Sequence, residues 1–126
     1  MVVNIDRNLI FKILGRKDSV DLGDMIFNLR GICNDLRKID ASDINENFLS
    51  ETQKKLNDIY KIINPISERL KSSDSISGYI NSRNYLSDFT NVLCTNVMSL
   101  ARALDNKEVP QIIHYNNIII DLILKY

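Results

Sequence analysis

Residues 22–36 read LGDMIFNLRGICNDL, and the placing of apolar side chains in this stretch decides the fold. Leu22, Ile26, Leu29, Cys33 and Leu36 follow one another at intervals of four, three, four and three. A helix of about 3.6 residues per turn puts all five on one face. Met25, Ile32 and Ile39 widen that stripe, so an amphipathic helix is predicted from Asp18 or Ser19 to about Ile39. Gly23 and Gly31 lie off the stripe, where each weakens a helix by about 0.8–1 kcal/mol relative to Ala. Phe27 projects from the opposite face, between the two glycines.

The same periodicity extends in both directions. Upstream, Asn4 can cap a short helix over about residues 5–14, with Ile5, Leu9, Ile10 and Ile13 on one side. Gly15 stands where a C-terminal residue with positive φ is expected. Downstream, after a polar connection at Asp40–Asn47, a third helix is predicted from about Phe48 to Lys71, capped by Ser50 with Gln53. Leu49, Thr52, Leu56, Ile59, Ile63, Ile66 and Leu70 form its stripe. Pro65 lies inside this helix and is expected to kink it, or to divide it, by removing a backbone hydrogen bond.

A Ser-rich link follows, with room for one helical turn at Ile76–Ile80. A fourth helix spans about Ser82–Leu104, with Leu86, Phe89, Leu93, Val97, Leu100 and Leu104 inward. Beside that stripe runs a strip of small residues, Thr90, Cys94 and Ala101, which would let a neighbouring helix come close. Asp105 with Glu108 offers a capping box for the last helix, and Pro110 suits its first turn. Ile112, Tyr115, Ile119, Leu122 and Tyr126 make its seam. The expected fold is therefore all-α, a single domain over residues 1–126. It is a compact antiparallel bundle of about five helices, four long and one short and N-terminal.

Composition narrows the function. Hydrophobic residues make up 44% and charged residues 25%, which fits a globular domain and argues against disorder. Sixteen basic and sixteen acidic residues cancel, so bulk charge draws the chain to neither nucleic acid nor anionic lipid. The charges are blocked, however. Residues 18–51 carry eight acids against three bases, and residues 52–71 carry five bases against two acids. In a bundle such blocks are expected to neutralise one another across neighbouring helices. Lys54, Lys55, Lys61, Arg69 and Lys71 do not share one side of the third helix, so nucleic acid is not the expected partner.

No apolar run is long enough to span a bilayer, and the N-terminus has no secretory pattern. Cys33 and Cys94 sit among apolar residues without metal spacing, which suits reduced, buried thiols and a cytoplasmic protein. Frequent Ile and Asn, and Asp in place of Glu, match an AT-rich coding sequence such as those of several large DNA viruses, some phages and some bacteria.

Catalytic chemistry is not expected. His114 is the only histidine and has no acid or cysteine at ligand spacing. One histidine and four glutamates are too few for a di-iron bundle. No phosphate loop, zinc spacing or nucleophile elbow occurs. Asp21 and Asp24 lie in the first turn of the second helix, where the helix dipole accounts for them. No catalytic residue, metal ligand or cofactor is predicted. Asn96 and Asn116 lie next to the seams of the fourth and fifth helices, where polar residues can fix register.

The expected role is a non-enzymatic interaction or assembly module that binds another protein, or itself as a homodimer, through helix faces. The last fifteen residues contain eight isoleucines and leucines, wider than one core stripe requires. A helix so apolar should sit at the centre of the fold or in an interface. The candidate surface comprises Val20, Phe27 and Gly31 on the second helix with Ile118, Leu122 and Leu124 on the fifth.

One local motif points to a named alternative. Residues 25–36, MIFNLRGICNDL, resemble the death-motif helix of the Bcl family of apoptosis regulators. Met25, Leu29, Ile32 and Leu36 match its apolar set, Leu29-Arg30 its leucine-arginine pair and Cys33 its small position. Asn34 stands where the family usually has Asp. The resemblance covers twelve of 126 residues and implies a viral Bcl-like inhibitor of host apoptotic or innate immune signalling. Weak nucleic-acid binding through the basic residues is the remaining alternative.

Overall fold

A computed structural model describes residues 7–39, 45–72 and 80–126. Five helices run in the order α1 (Arg7–Leu14), α2 (Arg16–Leu36), α3 (Glu46–Ser72), α4 (Ile80–Asp105) and α5 (Val109–Ile123). They take up 90% of the described residues, and no strand occurs among these. The Ile118–Ile120 run, β-branched throughout, is helical like its flanks. The expected cap at Asn4 and the turn at Ile76–Ile80 fall wholly or largely outside the described residues.

The long helices form a ring. Backbones pack closely between α2 and α3, α3 and α4, α4 and α5, and α5 and α2, with at most marginal approach across the diagonals. Polar contacts give the directions. Arg69, near the end of α3, meets Asp18 in the first turn of α2, and its backbone carbonyl accepts from Arg83 near the start of α4. Asn116 reaches Cys33, while the Tyr126 hydroxyl lies 3.7 Å from where a Cβ on Gly23 would be. All these neighbours are antiparallel. The arrangement is a four-helix bundle in which every helix, α5 included, occupies a corner. No helix is central, so the surplus apolar surface of α5 is not absorbed by enclosure.

The core is what the periodicity predicts. Leu22, Leu29, Leu56, Ile63, Leu86, Leu93, Leu100 and Ile119 are all fully buried. Thr90, Cys94 and Ala101 are buried as well, and α4 packs most extensively against α3. An ion pair joins the two charge blocks. Arg69 grips Asp18 with Nε and Nη2 at 2.8–3.0 Å, joining the basic block to the acidic one. Lys107, in the α4–α5 turn, pairs with Glu46 at the start of α3.

Helix ends depart from expectation in four places. α2 begins at Arg16, directly after Gly15, whose φ of 83° and ψ of 172° lie in a region open essentially to glycine alone. This one residue turns the chain so that α1 folds back and buries Ile10. At its other end α2 stops at Leu36 rather than Ile39. The amides of Lys38 and Ile39 then bond to carbonyls three residues back, and Ile39 still packs against the core.

α3 is capped by Asn45, not by Ser50 with Gln53. The Asn45 Oδ1 accepts from the amides of Asn47 at 3.0 Å and Phe48 at 3.3 Å. The Asp105–Glu108 box does not form, and Glu108 makes no side-chain cap to α5. Instead α4 closes on Lys107 at φ 57°, with Glu108 N–H donating to the Ala103 carbonyl and Lys107 N–H to that of Leu104. That pair of bonds closes the helix without needing Asp105.

Pro65 does not divide α3, which is one helix of 27 residues. Its ring is on the solvent side, and Ile63 and Ile66 on either side of it are each 1% exposed. The carbonyl it leaves without an amide partner belongs to Lys61, an exposed residue where water can replace the bond.

Candidate interaction surface

α2 has two apolar faces. The inner face carries Leu22, Ile26, Leu29, Cys33 and Leu36 into the core. The outer face carries Val20, 52% exposed, and Phe27, 73% exposed, the most exposed large apolar side chain among the described residues. A Cβ placed on Gly31, one turn beyond Phe27, would meet nothing within 4 Å. A bulky ring thus stands beside an empty patch of backbone.

Clefts open on both sides of this face, and Phe27 lines both. One, of about 450 Å³, is bounded by Arg7, Val20, Asp24, Arg30 and Tyr126. The other, of about 510 Å³, runs between α2 and α3 past Met25, Gly31, Ile59 and Ile62. Tyr126 forms an end wall by stacking on Phe89 at 6.1 Å between ring centroids, with the Arg7 guanidinium 5.3 Å above it. Burial pushes the Tyr126 hydroxyl pKa up, opposed in part by Arg7.

The structure does not unite the six predicted surface residues. Val20, Phe27 and Gly31 share one outer face. Ile118 and Leu122 are half-buried. Leu124 is 66% exposed but lies two residues after Leu122, hence on another side of α5. Periodicity gave no sign of Arg7, Ile62 or Tyr126 as cleft residues. Ile62 falls outside the α3 stripe, and the meeting of Arg7 with Tyr126 joins the two ends of the described chain.

Polar residues near the seams divide likewise. Asn116 is 2% exposed and donates its Nδ2 to the Cys33 carbonyl at 3.1 Å, linking α5 to α2. Asn96 instead donates to the Val92 carbonyl of its own helix and links no second helix among the described residues.

The reactive inventory is sparse. His114 is exposed, and its ring meets that of Tyr115 edge-on at 5.0 Å. No cluster of three or more His, Cys, Asp or Glu with metal-binding geometry occurs among the described residues. Both thiols are free and buried. Burial raises Cys33 to about 12, with Arg37 pulling weakly the other way, and Cys94 to about 11, with Lys71 doing the same. Thiols held neutral in this way are poor nucleophiles near neutral pH.

Within the 25–36 motif, Leu29, Ile32 and Leu36 are buried in the chain's own core and Met25 is half-buried, while Arg30 is exposed. No helix among the described residues is long and apolar enough to cross a membrane. No protein-family model, curated protein or solved structure matches the chain.

Proposed function

We propose that this protein is a non-enzymatic interaction module that binds another protein through the outer face of α2. One observation carries the reading: Phe27 is 73% exposed on a face the core does not use. Isolated exposed apolar residues are ordinary, but an aromatic ring beside Val20 and an open glycine, between two clefts, forms a continuous docking feature. Aromatic anchors with room around them commonly supply a large part of the energy of protein recognition.

Photo-crosslinking tests this directly. Benzoylphenylalanine at position 27 is expected to trap a protein in extracts of the source, whereas the same probe at the exposed Asp121 traps none. Equal labelling from both positions, or none from position 27, contradicts the reading.

A further inference from the structure

We propose that the occupant of the α2 outer face is a second copy of this chain, packed antiparallel across a two-fold axis that passes beside Phe27. This rests on the proposed function and names its partner. The charges on the face are self-complementary. Asp24 lies three residues before Phe27 and Arg30 three residues after it, both exposed and both bounding the same cleft as Phe27. Neither has an ion-pair partner among the described residues. In an antiparallel pair centred on residue 27, positions equally far before and after it come level. Asp24 is then level with Arg30 of the second copy, and the symmetry repeats the pair.

The steric pattern shares that centre. Gly23 and Gly31 flank Phe27 at four residues on either side, so each glycine comes level with the other glycine of the second copy. Gly31 leaves open space at the level of the charge pair, through which the long Arg30 side chain can reach Asp24, whereas at Gly23 the Tyr126 hydroxyl lies 3.7 Å from where a Cβ would be. The two Phe27 rings meet on the axis, and Val20 comes level with Asn34. A parallel arrangement would instead set Asp24 level with Asp24 and Arg30 level with Arg30. Opposite charges brought level favour the antiparallel register, and like charges brought level oppose the parallel one.

Charge exchange tests the register, with sedimentation equilibrium of the full chain as the readout. Asp24→Arg alone and Arg30→Asp alone should each weaken self-association by about tenfold, since each turns both attractive pairs into repulsive ones. The double variant Asp24→Arg/Arg30→Asp should recover it to within about threefold. Circular dichroism should show all three as helical as the wild type, because both positions are exposed. A wild type that stays monomeric to high micromolar concentration overturns the second-copy inference. A dimer whose strength ignores the single exchanges, or whose double variant is no stronger than the singles, overturns the register and the proposal with it. A monomer that still cross-links another protein from position 27 leaves the interaction reading standing and removes only the identity of the partner.

Discussion

The Asn116 amide donates to the Cys33 carbonyl across 83 residues of sequence, at 3.1 Å and out of reach of solvent. This bond closes the ring between the last helix and the second. It leaves the Asn116 Oδ1 buried without a partner among the described residues, while the Cys33 carbonyl also receives the Arg37 amide. Asn116 thus fixes how α5 sits on α2 without being a source of large stability.

Replacing Asn116 by Leu, a residue of similar size, should therefore leave stability unchanged or raise it by up to about 1–2 kcal/mol. The Cys33 carbonyl would keep its backbone partner. Urea unfolding measures this. A loss above about 2 kcal/mol would mean the cross-helix bond supports the fold rather than its register.

Ser67 presents a simpler case. It is 1% exposed and its hydroxyl has no hydrogen-bond partner among the described residues. Ser67→Ala should raise stability by about 1 kcal/mol, because a buried unpaired hydroxyl is removed and helix propensity improves. A destabilised variant would show that the hydroxyl has a partner in solution.

Gly15 should tolerate no side chain, although space surrounds it. At φ 83° and ψ 172° the strain is in the backbone itself, so Gly15→Ala should cost about 1–3 kcal/mol. Hydrogen exchange should rise first in α1, whose Ile10 loses its seat. A neutral Gly15→Ala would mean that α1 is not anchored by this turn.

Alkaline pH should weaken the fold through the thiols. Cys33 lies at an ordinary value of 9.0 when unfolded and about 12 when folded, and Cys94 at 9.0 and about 11. The fold favours the protonated form, so this contribution is whole below pH 9 and is lost as pH rises through the folded values. Cys33→Ala/Cys94→Ala should show a shallower fall in stability above pH 9 than the wild type. Parallel curves would mean the thiols ionise freely in the native state.

Much of this fold was legible because core packing imposes period on sequence. Every residue of the Leu22–Leu36 stripe is buried, and the α3 stripe passes Pro65 without losing Ile63 or Ile66. Caps were less legible, since Asn45, Ser50 and Asp105 are all competent and only the local path of the chain selects among them. The ring was not legible at all. An apolar α5 could equally occupy a centre or a corner, and the choice rests on contacts such as Asn116 with Cys33 that no local pattern encodes. Phe27 and Val20 stood out because they break the period on a helix otherwise faithful to it. Ile118 and Leu122 are half-buried, a state that looks the same in sequence as a free face.

In the proposed function, α2 supports the bundle with one face and leaves the other spare for binding. Urea unfolding of Phe27→Ser at low protein concentration, beside Leu29→Ser, tests it most directly. Phe27 is 73% exposed and Leu29, two residues on, is fully buried. Phe27→Ser should unfold within about 0.5 kcal/mol of the wild type, and Leu29→Ser should lose at least about 3 kcal/mol. Comparable losses from the two variants would show that the Phe27 ring belongs to the support of the fold, and that α2 has no spare face.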